Sequence, residues 1–186
     1  MSNFTKYNDS NAPEASVDTL EQYKRQLGFI PNLVGYTAES PALTKAYKVL
    51  GDLLAGGSLD VTEQQVVIMT INRFHDCRYC MAAHTKISEM TGVNMAAINA
   101  IRDDKLIGDA KLGALRGFTH ALVKQRGKVS AFQLNTLFEA GYTKETALEI
   151  IAAAAYKTIS NYTNHLVGTD LDGAFIDHKW APVNER

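Results

Sequence analysis

The chain has 186 residues, 46% of them hydrophobic, and a formal net charge of −1. This composition suits one domain with a sizeable core, and a near-neutral charge without a basic run argues against nucleic acid or an anionic membrane as partner. No apolar run is as long as a membrane span or has the form of a secretion signal, so we expect a cytoplasmic protein. The two cysteines, Cys77 and Cys80, would cycle between dithiol and disulfide in such a reducing compartment.

Cap and turn residues divide the chain into a polar arm and a series of helices. Residues 1–15 are rich in Asn, Asp and Ser, which predicts a mobile arm, and residues 16–186 are predicted to form a single domain. Ser16 is a candidate N-cap for the first helix, and Gly28 ends that helix. No stretch has the alternation of a strand, so the predicted fold is all-α. The predicted helices span residues 16–27, 32–38, 41–54, 62–74, 77–90, 95–101, 109–125, 130–140 and 143–167.

The fourth predicted helix, residues 62–74, is apolar on nearly every side, which indicates a buried helix. Gln65 lies near its start. The segment Thr62 to Gln65 fits a capping box, in which the Gln65 side chain would bond back to the N-cap amide.

The next predicted helix begins with the only C-x-x-C of the chain, Cys77 to Cys80, followed by His84. Asp76 is the candidate N-cap, which puts Cys77 in the first turn. At about 100° per residue, the two thiols and the imidazole share one helix face. A helix N-terminus and a nearby histidine lower thiol pKa values, and this effect should be larger for Cys77, which is nearer the terminus. The pattern predicts a redox-active dithiol with an attached base.

Two other interpretations of this motif stay open. His75, Cys77, Cys80 and His84 are four possible zinc ligands, although one continuous helix start is poor geometry for a tetrahedral site. The cysteines could also be small buried apolar residues without chemistry. No Gly-rich phosphate loop or dinucleotide fingerprint is present, so we expect no cofactor and no metal.

The motif resembles the alkyl hydroperoxidase D-like, or carboxymuconolactone decarboxylase, family. The segments LGFIPNL at residues 27–33 and KTISNYTNHL at residues 157–166 are similar to the peroxidase-related branch. This resemblance implies that peroxide oxidises Cys80, that Cys77 is proton donor and resolving thiol, and that His84 belongs to a proton relay. The residues that carry the resemblance are Gln65, Val67, Asn72, Cys77, Tyr79, Cys80, Ala83 and His84.

The sequence departs from the family at one position of the relay. The family has a Glu twelve residues before the first cysteine, where this chain has Gln65. An amide cannot carry a proton as a carboxylate does. Glu63 lies two residues earlier and would point to another side of the helix, so the relay would be weaker or would use Glu63 or water. The resemblance also predicts that the buried helix faces the cysteine helix.

The last predicted helix and the tail offer two further surfaces. Asn161, Asn164 and His165 would line one polar edge, which either borders the thiol pocket or forms hydrogen bonds within a helical seam. The tail from residue 170 onward contains Phe175 and Trp180, and we expect it to pack on the body or on a partner subunit.

The predicted function is reduction of organic hydroperoxides through a Cys77–Cys80 dithiol–disulfide cycle with an external thiol reductant. The resemblance implies a homo-oligomer, a trimer or a hexamer. The alternatives are an acid–base enzyme of the carboxymuconolactone decarboxylase kind, a zinc-binding or interaction protein, and a disulfide reductase acting on proteins.

Overall fold

The computed structural model describes residues 3–185; Met1 and Ser2 of the predicted arm, and Arg186, lie outside the described residues. The described residues contain helices and no strand, which confirms the all-α prediction, and two short 3-10 turns, Gly173–His178 and Val183–Glu185, follow the last helix. No helix of this part of the chain is long and apolar enough to cross a membrane. The α-helices are α1 Glu14–Leu27, α2 Asn32–Thr37, α3 Pro41–Ala55, α4 Val61–Phe74, α5 Arg78–Met90, α6 Met95–Arg102, α7 Ala110–Lys124, α8 Ala131–Glu139 and α9 Lys144–Val167.

Helix α4 is the centre of the molecule. It packs against α5, α6, α7 and α9, and every residue from Gln65 to Asn72 is buried. Its apolar side chains, such as Val66, Met69 and Ile71, form one core with α6 and α7. A second core, between α2, α3 and α5, contains both cysteines. The buried α4 predicted from composition is therefore confirmed, and it lies between the main core and the thiol motif.

The first helix starts earlier than predicted. Helix α1 begins at Glu14 after Pro13, and Ser16 is not its cap: its side chain is buried and donates a hydrogen bond to the carbonyl of Ala38 at 3.0 Å. Residues 3–13 contact the body, because the amide of Tyr7 donates to the carbonyl of Gly35 at 3.1 Å. A Cβ at Gly35 would lie 2.6 Å from the Tyr7 oxygen, so the close approach of the two backbones requires glycine there.

The turn between α4 and α5 corrects a second prediction. Asp76 has φ +51°, in the left-handed region, so it reverses the chain and does not cap α5. Cys77 takes the N-cap position with extended backbone, and its amide donates to the carbonyl of Asn72 at 3.0 Å. The cysteines are therefore displaced by one position relative to the predicted helix start, with Cys77 at the N-cap and Cys80 in the first turn.

The tail after α9 forms hydrogen bonds with both α2 and the cysteine helix α5. Phe175 and Trp180 are buried as predicted, and the indole of Trp180 donates to the carbonyl of Arg102. Asp172 is buried too. Its carboxylate accepts the amide of Asn32 at the start of α2 and the hydroxyl of Tyr79 in α5. One side chain thus satisfies two buried donors from two helices.

Asp172→Ala is expected to lower the free energy of unfolding by about 2–4 kcal/mol, because it leaves the buried Tyr79 hydroxyl and a helix-terminal amide without an acceptor. Urea denaturation measures this change. Asp170→Ala is the matched control: Asp170 is exposed, so its removal should change stability by less than about 0.5 kcal/mol. Equal effects of the two substitutions would contradict the bridging role of Asp172.

Candidate active site

The two thiols lie together at the start of α5, out of contact with solvent. Cys77 is 1% exposed and Cys80 is 2% exposed, and both are free cysteines. The side-chain amide of Asn164, from α9, donates to both sulfurs, at 3.2 Å from Cys80 Sγ and 3.6 Å from Cys77 Sγ. Asn72 of α4 holds the backbone beside them, since its amide donates to the carbonyl of Cys80 at 3.4 Å. Three helices therefore position the pair.

His84, one turn after Cys80, is fixed on both ring nitrogens. Its Nδ1 lies 3.0 Å from Gln65 Oε1, and its Nε2 lies 3.1 Å from Lys157 Nζ. An ammonium can only donate, so Nε2 accepts and Nδ1 carries the proton that Gln65 receives. Burial lowers the pKa of His84 well below its ordinary value, and the charge of Lys157 lowers it further. The imidazole is therefore neutral, in a single tautomer.

Gln65 faces the cysteine helix, and its Oε1 lies 3.0 Å from His84 Nδ1. The capping box of α4 is formed by Asp60 and Glu63, and Gln65 takes no part in it, so the capping interpretation was wrong. Glu63 bonds to the amide of Asp60 and to Lys111, and its carboxylate is thereby held away from the thiols. At the relay position the chain therefore presents an amide to His84 and no carboxylate.

The thiols differ strongly in acidity, in the order opposite to the helix-terminus expectation. Burial is the largest influence on Cys80 and raises its pKa. The hydrogen bond from Cys77, the charge of Lys157 and the hydrogen bonds from Ser160 and Asn161 together lower that pKa to about 5. The hydrogen bond to Cys80 and then burial raise the pKa of Cys77. Cys80 is the thiolate and Cys77 is the thiol that donates to it, which is the arrangement that favours Cys80 as the nucleophile.

Lys157 is a site residue to which the sequence analysis assigned no role. It lies on α9, is 0% exposed, and is among the largest fully buried side chains of residues 3–185. Its Nζ lies 5.0 Å from the centre of the Tyr156 ring, a cation–π contact, besides its hydrogen bond to His84. The signal was present in the sequence, because Lys157 continues the inner stripe of α9 formed by Ile150 and Ala153.

The predicted polar edge of α9 is split. Asn164 borders the thiols, whereas Asn161 lies in the helical seam, donating to Asn72 Oδ1 at 2.9 Å and contacting His75 Nδ1 at 2.9 Å. His165 is exposed and belongs to neither group. Asn161 also helps to lower the pKa of the Cys80 thiol through a hydrogen bond, so both predicted surroundings occur.

A zinc site does not form from the four predicted ligands. The Nδ1 of His75 faces Asn161, and both nitrogens of His84 are occupied by Gln65 and Lys157. Within residues 3–185, no three His, Cys, Asp or Glu side chains are grouped so that they could hold a metal ion. The motif therefore presents two free thiols and an imidazole that is hydrogen-bonded on both nitrogens.

A cavity of about 90 Å³ reaches the reactive groups from the side of α2 and α3. Cys80, His84 and Lys157 form part of its wall, and aromatic and aliphatic side chains form the rest. The aromatic wall residues are Tyr23, Tyr47, Tyr79, Tyr156 and Phe175. The arrangement offers a thiolate, a cation and a neutral imidazole to a small molecule with an apolar body.

The model of the carboxymuconolactone decarboxylase family matches residues 41–110, a stretch that contains Gln65, both cysteines and His84. No curated protein matches the chain. An uncharacterized peroxidase-related protein from Ralstonia eutropha JMP134, an alkylhydroperoxidase AhpD core, is similar in structure, with 22% identity, a TM-score of 0.81 and 94% of each chain covered.

Two further solved structures have the same architecture. The debrominase Bmp8, in complex with 2,3,4-tribromopyrrole, is 19% identical, with a TM-score of 0.79 and 96% of each chain covered. An uncharacterized peroxidase-related protein from Silicibacter sp. TM1040 is 14% identical, with a TM-score of 0.78, covering 93% of this chain and 92% of that one. The family match and the shared fold confirm the resemblance predicted from the cysteine motif.

Proposed function

We propose, from the match of residues 41–110 to the model of the carboxymuconolactone decarboxylase family, that the chain is a thiol-dependent peroxidase that reduces organic hydroperoxides. The observation that carries the proposal is the pair of free, buried cysteines, whose two sulfurs both accept from the Asn164 amide. The hydrogen bond from Cys77 helps to lower the pKa of Cys80, so the two thiols are unequal. A permanent structural pair has no need of one ionised sulfur. A peroxide-reactive site does, because the thiolate is the nucleophile.

The chemistry follows from these two sulfurs. The Cys80 thiolate attacks the terminal oxygen of the hydroperoxide, the O–O bond breaks, and the alkoxide leaves and takes up a proton to become an alcohol. Cys80 is then a sulfenic acid. The Cys77 sulfur attacks it, a disulfide forms, and water leaves with the Cys77 proton. An external thiol donates two electrons to restore the dithiol, and the resting enzyme returns.

The wall of the cavity favours an organic hydroperoxide over hydrogen peroxide. Apolar and aromatic side chains face the space beside Cys80, and they would bind an alkyl or aryl group by excluding it from water. Asn164 is a polar neighbour of the same sulfur, because its amide donates to Cys80 Sγ at 3.2 Å. Its Oδ1 is buried and has no hydrogen-bond partner among residues 3–185. That oxygen is available to accept the hydroxyl of a bound hydroperoxide or of the sulfenic acid.

The proposal includes a reducing, cytoplasmic setting, because the cycle needs a supply of external thiol.

The proposal also includes a homo-oligomer, a trimer or a hexamer. An exposed apolar stripe along α9, formed by Leu148, Ile151, Tyr162 and Leu166, each more than half exposed, supports this, because such a surface favours association. Light scattering should give a mass that is a multiple of the 20.4 kDa chain mass. Leu148→Glu should lower this mass. A monomeric wild type would contradict the oligomer.

The test is consumption of a hydroperoxide by the reduced protein in the presence of a small dithiol. Cumene and tert-butyl hydroperoxides are expected to disappear faster than hydrogen peroxide, with one alcohol formed per hydroperoxide. His165→Ala is a suitable control, since this exposed histidine lies outside the site and its loss should leave the rate unchanged. Consumption no faster than with the dithiol alone would overturn the proposal.

Replacement of both cysteines distinguishes the peroxidase from an acid–base enzyme of the carboxymuconolactone decarboxylase kind. A lactone decarboxylase or similar acid–base enzyme has no need of two thiols, so activity on a lactone substrate should survive replacement of both Cys77 and Cys80 by serine. The peroxidase should lose its activity in that double variant. A protein disulfide reductase would instead reduce a disulfide-bonded protein with no requirement for peroxide.

A further inference from the structure

Lys157 is a buried cation without a carboxylate partner. It is 0% exposed, and an ammonium withdrawn from water costs several kcal/mol unless an opposite charge or hydrogen bonds compensate it. None of the ion pairs among residues 3–185 includes it. Glu149, on the same helix, bonds to the amide and hydroxyl of Ser58 instead. The compensating charge must therefore be of another kind.

The thiol pair supplies that charge. Cys80 and Lys157 line the same small cavity, and the ammonium is held in place by its hydrogen bond to His84 Nε2 at 3.1 Å. His84 is neutral, so it accepts a hydrogen bond from Lys157 without adding charge to the site. A thiolate at Cys80 and an ammonium at Lys157 neutralise each other in a site that contains no other ionised group.

We infer that Lys157 is both the counter-ion of the Cys80 thiolate and the acid that protonates the departing alkoxide. The acid role rests on the proposed function, whereas the counter-ion role does not. As the O–O bond breaks, the alkoxide takes the proton from the Lys157 ammonium, and the products are an alcohol, the Cys80 sulfenic acid and a neutral amine. Gln65 stands where the family has a Glu, and its amide oxygen receives the proton of His84 Nδ1. His84 Nε2 is therefore free to accept from Lys157 and to orient this amine.

In this reaction all the protons that oxidation consumes come from groups of the site. Reduced protein holds one proton on Cys77 and the transferable proton on Lys157, and formation of the disulfide consumes both, yielding one alcohol and one water. The disulfide has no negative charge, so the Lys157 side chain then has no counter-ion among the residues that line the cavity. When an external dithiol reduces the disulfide, its two protons return to Cys77 and Lys157. A lysine that stayed an ammonium would instead require one proton from solution at each oxidation.

The other titratable groups that face the pair are Cys77, His84, Tyr47, Tyr79 and Tyr156. The hydrogen bond to Cys80 raises the pKa of Cys77, and burial raises the pKa values of Tyr47 and Tyr79. Burial lowers the pKa of His84. Cys77, His84, Tyr47 and Tyr79 therefore stay uncharged around neutral pH, and a change in proton number on oxidation reports on Lys157 and Cys80.

The first test is the thiolate absorbance of reduced protein as a function of pH. The wild type should keep the thiolate at neutral pH and lose it as the pH falls through about 5. Lys157→Met, which keeps the stem and removes the charge, should lose the thiolate at a higher pH than the wild type, because the buried sulfur loses its counter-ion. Its rate of oxidation at neutral pH should fall with the thiolate fraction, by about tenfold or more. An unchanged thiolate in this variant would overturn the counter-ion role.

The second test counts protons on oxidation in weakly buffered solution with a pH indicator. Diamide, an azodicarboxamide that takes two electrons and two protons from a dithiol, forms the disulfide whether or not the protein is a peroxidase. Wild type should take up no proton from solution. Lys157→Arg, which keeps the charge but cannot release its proton, should keep the thiolate and take up one proton per disulfide.

The outcomes are distinct. Uptake of one proton by the wild type would overturn the acid role, and this measurement requires no variant to fold. Circular dichroism and thermal unfolding check the folding of both variants. A wild type that takes up no proton with diamide and yet leaves hydroperoxide untouched would retain the Cys80–Lys157 pair and disprove the peroxidase.

Discussion

Cys80→Ser is expected to abolish hydroperoxide reduction, with a loss of turnover on the order of a thousandfold or more. A serine hydroxyl stays protonated where the Cys80 thiol ionises, since the lowered pKa of about 5 is a property of sulfur beside Cys77 and Lys157. The hydroxyl therefore offers no nucleophile to the peroxide. Steady-state consumption of cumene hydroperoxide with a small dithiol measures the effect.

The control for this prediction is the first oxidation of the other single variant. Cys77→Ser keeps the Cys80 sulfur and should be oxidised once by one equivalent of hydroperoxide, whereas Cys80→Ser should not be oxidised at all. Reaction of the protein with a dimedone-type reagent, which traps sulfenic acids, distinguishes the two. A sulfenic acid on Cys77 in the Cys80→Ser variant, formed at the wild-type rate, would reverse the assigned order of the thiols.

Cys77→Ser is expected to lower turnover by about 100-fold or more while leaving the first oxidation within a few-fold of wild type. The serine hydroxyl still donates a hydrogen bond to the Cys80 thiolate, so the nucleophile survives. No disulfide can form, and the sulfenic acid persists until an outside thiol or more peroxide reaches a cysteine that is 2% exposed. Single-turnover and steady-state rates measured on the same preparation separate the two effects.

Cys77→Ala is the matched variant for the hydrogen bond. It also prevents the disulfide, but it removes the donor that helps to lower the pKa of Cys80. The pKa of Cys80 should therefore rise, and the first oxidation of Cys77→Ala at neutral pH should be slower than that of Cys77→Ser. Equal rates for the two variants would show that the hydrogen bond from Cys77 does not influence the nucleophile.

Much of the fold could be predicted because the helix limits depend on local bonds. The helices predicted to start at residues 95, 109, 130 and 143 start within one residue of these positions, and Asn94, Asp109, Ser130 and Thr143 are their caps. Asp76 failed as a cap for a reason that is not local. The chain must reverse between α4 and α5, two packed helices, and Asp76 takes the left-handed conformation that this reversal requires.

The chemistry of the site was less accessible from the sequence. The C-x-x-C and His84 could be placed on one face, because they lie within one helix. The acidity of the two thiols could not be ordered correctly, because the deciding groups include Lys157 on α9, which the fold brings to Cys80 from a distant part of the chain. A lysine on the inner stripe of a helix is the signal that would have indicated it.

The most direct test of the dithiol peroxidase is the intact mass of the fully reduced protein before and after one equivalent of cumene hydroperoxide. The product alcohol is measured in the same sample. Loss of two hydrogen atoms per chain, with one alcohol formed and Cys77 and Cys80 joined in the peptide map, is the predicted result. An unchanged mass with the hydroperoxide intact would contradict it.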